Sequence, residues 1–189
     1  MHRPTPAPQR SWKALLFDLG STLIYFQGEP SIVFKKSLAA LYENLHAADV
    51  TLDREEFLKN FQARLEVYYA EREAEFIEYT TAYLLKTILA EYGYAEIPET
   101  VARPALAAMY AVTQDYWQPD PDATSTLETL KSQGYRLGII SNAADDADVQ
   151  ALVDKAALRD YFDVVLTSAS IGIRKPNPRI FQLALEPLG

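Results

Sequence analysis

The sequence predicts an α/β fold in which a parallel, Rossmann-like sheet is interrupted by an inserted all-helical subdomain. A strand is predicted at residues 13–17, whose apolar run begins at residue 14, has the length of a buried strand and is followed by Asp18. Apolar residues then recur at helical spacing over residues 31–116, and an alternation of strand and helix patterns resumes after this segment. We therefore expect a discontinuous α/β core, formed by residues 13–30 and 117–189, around a helical insert.

Composition limits the chemistry available to the chain. Its 189 residues suit one domain with an inserted subdomain, and a hydrophobic content of 49% is sufficient for a core. With 18 Lys and Arg against 26 Asp and Glu, the net charge is -8, so we expect neither nucleic acid nor an anionic membrane as a partner. The absence of cysteine and the presence of only two histidines leave oxygen ligands for any metal, which suits Mg²⁺.

We expect no targeting segment in this sequence. Residues 1–12 contain three prolines and no apolar run, which predicts a flexible arm rather than a signal peptide. No stretch approaches the roughly 18 apolar residues of a membrane span. These observations predict a cytoplasmic location.

The first strand ends at the most informative position of the chain. Parallel sheets bind ligands beyond the carboxyl ends of their strands, so we expect Asp18 at a ligand-binding edge. Residues 18–30, which include Gly20, are expected to form a loop. An Asp that only caps this turn is the simpler alternative, and two later segments favour the functional interpretation.

Four helices are predicted within the insert. The apolar pattern breaks near residues 49–53, just before Ile77 and at residues 93–98. Arg72 lies in the polar stretch between the second and third helices, and we single it out as a candidate substrate contact. A solvated helix charge is the alternative for this residue.

After a return linker near Pro119, a second apolar strand brings polar side chains to the same edge of the sheet. It covers residues 135–141 and ends in Ser141 and Asn142, whose hydroxyl and amide can hydrogen-bond an anionic substrate oxygen. A third short strand is predicted at residues 163–167. A simple turn after the second strand is the alternative interpretation.

Lys175 is the third polar residue expected at this edge. Pro176 restricts it to extended geometry and so holds it at a fixed point, where it can neutralise both a carboxylate and a phosphoryl group. Arg174 and Arg179 are expected to be solvated loop charges.

Helix starts account for several other polar residues. Asp145, Asp146 and Asp148 suit the positive N-terminal end of a helix, so we interpret them as helix-start residues rather than ligands. Asn177 is a suitable N-cap for a last helix that begins at Pro178.

Three segments together resemble the first three motifs of the haloacid dehalogenase-like hydrolase superfamily. They are FDLGSTL at residues 17–23, ISNA at residues 140–143 and RKPNPRIF at residues 174–181. Their order, and the helical insert between the first and the second, resemble the subgroup that carries a helical cap after the first strand. The resemblance covers nearly the whole chain beyond the N-terminal arm.

This resemblance implies phosphatase chemistry on a small phosphorylated metabolite. Asp18 would be the nucleophile that forms an aspartyl-phosphate, and Lys175 would hold the charges of the nucleophile and the phosphate together. Ser141 would bind a phosphoryl oxygen, with Asn142 beside it as a second substrate-binding residue. Mg²⁺ would bridge the Asp18 carboxylate and the backbone carbonyl of Gly20.

Two features depart from the family pattern. Phosphatases of the superfamily usually carry a second Asp two residues after the nucleophile, where this chain has Gly20. General acid-base catalysis, worth typically about 10²–10⁴-fold, must then come from another residue or from water. The acidic fourth motif that completes the magnesium site would lie beyond the helix at Pro178. We therefore expect a chain truncated before that motif, with weak Mg²⁺ binding and slow turnover.

Two alternatives to a Mg²⁺-dependent phosphatase remain open. One is a metal-independent 2-haloacid dehalogenase, in which the Asp nucleophile attacks carbon and the second Asp is absent. The other is a non-catalytic protein that binds phosphate or a protein partner. No oligomeric state is indicated.

Overall fold

A computed structural model describes residues 13–189, apart from the side chains of residues 73–75. The strands are β1 (Ala14–Phe17), β2 (Ile24–Phe26), β3 (Trp117–Pro119), β4 (Arg136–Ser141) and β5 (Val164–Thr167). The helices are α1 (Pro30–Ala47), α2 (Arg54–Glu75), α3 (Thr81–Glu91), α4 (Glu99–Gln114), α5 (Ala123–Ser132), α6 (Asp146–Lys155), α7 (Ser168–Ile171) and α8 (Pro178–Leu185). The predicted arm at residues 1–12 lies outside the described residues.

The main sheet is parallel and has the strand order β1-β4-β5. In its register, Phe17 lies beside Ile139, and Ser141 lies beside Thr167. All residues of β4 except the first are buried, as expected for the centre of a sheet with both faces covered. The predicted α/β class is confirmed, and the carboxyl ends of the three strands meet at one edge.

Gly138 allows close packing at the middle of β4. A Cβ atom at this position would lie 2.7 Å from Val164 Cγ1 and 2.8 Å from Leu16 Cδ2, which is closer than packed carbon atoms approach. Because the β-branched valine side chain is stiff, relief would require a shift of the strands.

We therefore expect Gly138→Ala to lower the free energy of unfolding by about 1–3 kcal/mol, the usual cost of overpacking. Urea denaturation monitored by circular dichroism would measure this change. A variant with the stability of the wild-type chain would show that the neighbouring side chains can move aside.

A two-stranded antiparallel ribbon joins the sheet region to the helices. β2 pairs with β3, with Phe26 opposite Trp117. Phe26 also contacts Tyr116 in a stacked arrangement, with ring centroids 5.9 Å apart. The prediction of plain loop and linker at these positions is wrong, because strands of three residues are too short to give a periodic signal.

The four predicted helices α1–α4 occur in the insert and form their own core. We call residues 30–114 the helical region. The buried residues of its main hydrophobic cluster fall between residues 38 and 109, and α1 packs along α4. A second core cluster surrounds the sheet and includes Leu19, Leu137 and Leu152. The division of the chain into core and cap stays a prediction.

The loop between α2 and α3 fastens the helical region to the sheet region. We call residues 76–80 the docking loop. The carbonyl of Phe76 accepts a hydrogen bond from the Arg174 amide at 3.1 Å, and the Thr81 amide that follows the loop donates to the Ala144 carbonyl at 2.9 Å. These bonds place the docking loop beside the segments that follow β4 and precede α8.

Glu78 is the buried centre of this attachment. Its side chain is 0% exposed and accepts hydrogen bonds from the Tyr68 hydroxyl, from Ser168 Oγ at 2.7 Å and from Arg174 Nη1 at 3.0 Å. Arg174 is itself only 4% exposed, so the prediction of a solvated charge is wrong at this residue. Arg179 is exposed, as predicted.

The predicted helix starts are confirmed. The Asp145 side chain caps α6 by accepting a hydrogen bond from the Asp148 amide at 3.0 Å. Asn177 caps α8, and Pro178 is its first residue. None of the helices formed by the described residues is long and apolar enough to cross a bilayer.

Candidate active site

The predicted functional residues converge on one cavity at the edge where the parallel strands end. The cavity has a volume of about 290 Å³. It is lined by Asp18, Leu19, Gly20, Ile24, Trp117, Ser141, Asn142, Ala143, Asp148, Val149, Leu152 and Lys175. Residues from three distant parts of the sequence therefore share one pocket, as the strand-end argument predicts.

Lys175 is held in contact with Asp18. Its Nζ lies 2.6 Å from Asp18 Oδ1 and 2.7 Å from the carbonyl oxygen of Ile140. The Lys175 side chain is 21% exposed and that of Asp18 is 47% exposed. Two of the three ammonium donors are thus engaged, and the third can meet an anion in the cavity.

Asn142 fixes the backbone that carries Lys175. Its Oδ1 accepts a hydrogen bond from the Lys175 amide at 2.7 Å, and its Nδ2 donates to the Lys175 carbonyl at 3.0 Å. This paired contact orients the segment before α8. The substrate-binding roles of Asn142 and of the buried Ser141 stay predictions.

An indole occupies the space beside Gly20. A Cβ atom on Gly20 would lie 3.4 Å from Trp117 Cη2 and 3.7 Å from Cζ3. The atoms beyond such a Cβ would have to find room beside the ring, which the β2–β3 ribbon holds in place. A Cβ atom at the position two residues after Asp18 would therefore be in van der Waals contact with the indole.

A family model described as haloacid dehalogenase-like hydrolase matches residues 12–189, nearly the whole chain. The chain belongs to the haloacid dehalogenase-like hydrolases. This haloacid dehalogenase-like chain is 32% identical over 177 residues to a glyceraldehyde 3-phosphate phosphatase of Methanothermobacter thermautotrophicus. The match covers 94% of the chain and 72% of the relative.

Two further relatives differ in their named activities. A phosphoglycolate phosphatase of Aquifex aeolicus is 28% identical over 177 residues, which cover 94% of the chain and 70% of that protein. A solved structure of a dehalogenase is 27% identical, with a TM-score of 0.51 over 95% of the chain and 72% of that structure. Both phosphatases and dehalogenases are therefore among the relatives of this haloacid dehalogenase-like hydrolase.

Asp18 and Gly20 are the candidate ligands for a magnesium ion. The Asp18 carboxylate and the Gly20 carbonyl are oxygen donors of the kind that Mg²⁺ prefers, and both residues line the cavity. Among the side chains that the structure describes, at residues 13–72 and 76–189, no group of three His, Asp or Glu could hold a metal ion. These residues fit Mg²⁺ in donor type but supply only part of its coordination, so substrate oxygens and water would have to complete it.

Asp148 is a residue of the site that the sequence analysis assigned only to a helix start. It lines the cavity with Asp18, and its Oδ1 accepts a hydrogen bond from Gln114 Nε2 at 2.8 Å. Burial of the side chain raises the pKa of Asp148 to about 6, with a further upward contribution from Asp145. An acid in the first turn of α6 is explained by the helix start alone, so the sequence gives no indication that Asp148 also belongs to the site.

Arg72 packs against tyrosine rings of α2. Its guanidinium carbon lies 4.1 Å from the ring centroid of Tyr69 and 5.5 Å from that of Tyr68. Arg72 is not among the residues that line the Asp18 cavity. Its role as a substrate contact stays a prediction.

Proposed function

We propose that the protein is a phosphatase that acts on a small phosphorylated metabolite through an aspartyl-phosphate at Asp18, with Mg²⁺ as cofactor. The observation that carries the proposal is the 2.6 Å contact between Lys175 Nζ and Asp18 Oδ1 in a cavity also lined by Ser141. The named activities of the two phosphatase relatives support the same substrate class.

The side chains of the site suit phosphoryl transfer. The Asp18 carboxylate would attack phosphorus, and the Lys175 ammonium would balance the charge of the bound phosphoryl group. The Ser141 hydroxyl would donate a hydrogen bond to a phosphoryl oxygen without neutralising the nucleophile. Mg²⁺, held by the Asp18 carboxylate and the Gly20 carbonyl, would neutralise negative charge on the phosphoryl oxygens.

The domain division belongs to this proposal. Residues 13–30 and 117–189 would form the catalytic core, and residues 31–116 would form a cap that excludes water from the cavity. The separate buried core of the helical region supports this assignment. A cytoplasmic location and the absence of a nucleic-acid or membrane partner are further parts of the proposal.

We expect phosphate release from p-nitrophenyl phosphate that requires Mg²⁺. Because a metal ion stabilises transition-state charge by several kcal/mol, EDTA is expected to lower the rate by about 10²-fold or more. The assay compares the rate of the chain in excess Mg²⁺, in EDTA, and with Mg²⁺ restored after EDTA. Equal rates in all three conditions would contradict the cofactor assignment.

A 2-haloacid dehalogenase is the second candidate. The likeness to a solved dehalogenase and the missing acid at Gly20 favour it. Chloride release from 2-chloropropionate without added metal, together with no phosphate release, would support this candidate and exclude the first. Binding of phosphate with neither activity would favour a non-catalytic protein.

A further inference from the structure

We propose that Asp148 is the general acid and base of this site, a role that rests on the phosphatase function proposed above. Asp148 and Asp18 are the two carboxylates among the described residues that line the cavity, and Gly20 lines it too. The acid that Gly20 lacks would therefore be supplied from α6, which lines the same pocket as the loop that follows β1.

The hydrogen bonds of Asp148 leave it free to carry a proton. Gln114 Nε2, at the end of α4, donates to Oδ1 at 2.8 Å. This neutral donor does not require the carboxylate to be charged, and Oδ2 remains available for protonation or for substrate. The helix start does not depend on this side chain either, because the Asp145 side chain provides the N-cap of α6.

Asp146, in the same first turn of α6, has a different environment from Asp148. Asp146 Oδ1 accepts hydrogen bonds from Thr167 Oγ1 at 2.7 Å and from Gln150 Nε2 at 3.3 Å. Asp146 does not line the cavity. It is therefore a structural acid in the first turn of α6, and it provides a matched control for Asp148.

Burial has the largest effect on the pKa of Asp148, and the charged and titratable groups around it have smaller effects. They comprise Asp145 and Lys155 on α6, Arg103 and Tyr110 on α4, and Asp18 and Lys175, which line the same cavity. All three of these cations pair with other carboxylates: Arg103 with Asp145 at 2.8 Å, Lys155 with Asp115 at 3.1 Å and Lys175 with Asp18 at 2.6 Å.

Burial and the Asp145 charge raise the pKa of Asp148, while the bond from Gln114 and the charges of Arg103 and Lys155 oppose the rise. The net result is a pKa of about 6, near the range in which a side chain can serve both as acid and as base.

The proton balance of the reaction follows. As Asp18 forms its bond to phosphorus, the bond from phosphorus to the leaving oxygen breaks and that oxygen takes the proton of Asp148, releasing an alcohol. The Asp148 carboxylate then removes a proton from water as the water oxygen attacks phosphorus. The bond between phosphorus and Asp18 breaks, which regenerates the Asp18 carboxylate, protonated Asp148 and inorganic phosphate.

The test compares two leaving groups in single turnovers with enzyme in excess, because such turnovers measure the first step alone. Nitrophenolate is stable as an anion and leaves without a proton, whereas an alkoxide needs one. We expect Asp148→Asn to slow alcohol release from alkyl phosphates such as phosphoglycolate by about 10²-fold or more, and p-nitrophenol release by less than about tenfold. A purely structural role would slow both substrates equally.

The pH dependence gives a second readout. The acid must be protonated in the first step, so the rate of alcohol release in the wild-type chain should fall as the pH rises through about 6. This fall of the rate with pH should not occur with p-nitrophenyl phosphate, nor in Asp148→Asn. Asp146→Asn should keep the wild-type rates and the same fall of the rate with pH.

The outcomes separate the two proposals. Equal rates for Asp148→Asn and wild type on alkyl esters would overturn the role of Asp148 and leave the phosphatase function intact. The same conclusion would follow if the wild-type chain cleaved p-nitrophenyl phosphate but no alkyl ester in a panel of small phosphates. A wild-type chain with no more activity than Asp18→Asn on either class of ester would overturn the phosphatase function, and the role of Asp148 with it.

Discussion

Asp18→Asn is expected to lower the rate of phosphate release by at least about 10³-fold, because the amide cannot act as the nucleophile that forms a covalent intermediate. The change keeps the size of the side chain, and Lys175 keeps its hydrogen bond to the Ile140 carbonyl. We therefore expect the variant to fold normally. Steady-state assays with p-nitrophenyl phosphate, and trapping of a labelled phosphoenzyme in the wild-type chain only, would measure the effect.

Asp49→Asn provides the matched control for this experiment. Asp49 lies between α1 and α2, away from the residues that line the cavity. Its φ of 62° is in the left-handed region, which Asn tolerates as well as Asp does. Comparable activity of Asp18→Asn and Asp49→Asn would place the nucleophile elsewhere.

Glu78→Gln is expected to lower the free energy of unfolding by about 3–5 kcal/mol, the usual result of removing one partner from a buried ion pair. The substitution leaves the guanidinium of Arg174, whose side chain is 5% exposed, without the carboxylate that lies 3.0 Å from it. The amide can keep one hydrogen bond but cannot supply the charge. Urea unfolding at neutral pH would measure the loss.

The exposed pair of Glu43 and Arg54 supplies the control, because its side chains are 61% and 50% exposed. Glu43→Gln makes the same chemical change in water, where an ion pair contributes little. We expect its unfolding curve to match that of the wild-type chain. A Glu78→Gln curve that also matched would mean that the docking loop contributes little to stability.

The convergence of Asp18 and Ser141 could be predicted because it follows from topology. Asp18 follows a predicted strand and Ser141 ends one, and parallel strands place their carboxyl ends at one edge. Apolar runs are strong signals for such strands, so these two positions needed no side-chain detail, whereas the place of Lys175 was implied by the resemblance of residues 174–181 to the third family motif. The cap at Asn177 was predictable for a similar reason, since it depends only on local backbone geometry.

The roles of Arg174 and Asp148 could not be predicted because they depend on partners distant in sequence. Arg174 is buried against Glu78, which lies 96 residues earlier in the docking loop. Asp148 belongs to the cavity because Gln114 and the strand ends surround it, and a helix start alone explains an acid there. The β2–β3 ribbon likewise exists only as a pairing between residues about 90 positions apart along the chain.

The attachment of the helical region at three places constrains how the pocket exchanges its contents. The chain enters and leaves the helical region through the two strands of the β2–β3 ribbon. The buried ion pair of Glu78 with Arg174 is the third attachment. A wide swing of the helices would expose this buried ion pair to solvent, so the structure favours an arrangement in which the two parts stay close together. The cavity of about 290 Å³ at the strand ends lies at the small end of ligand pockets, a volume that suits compact molecules.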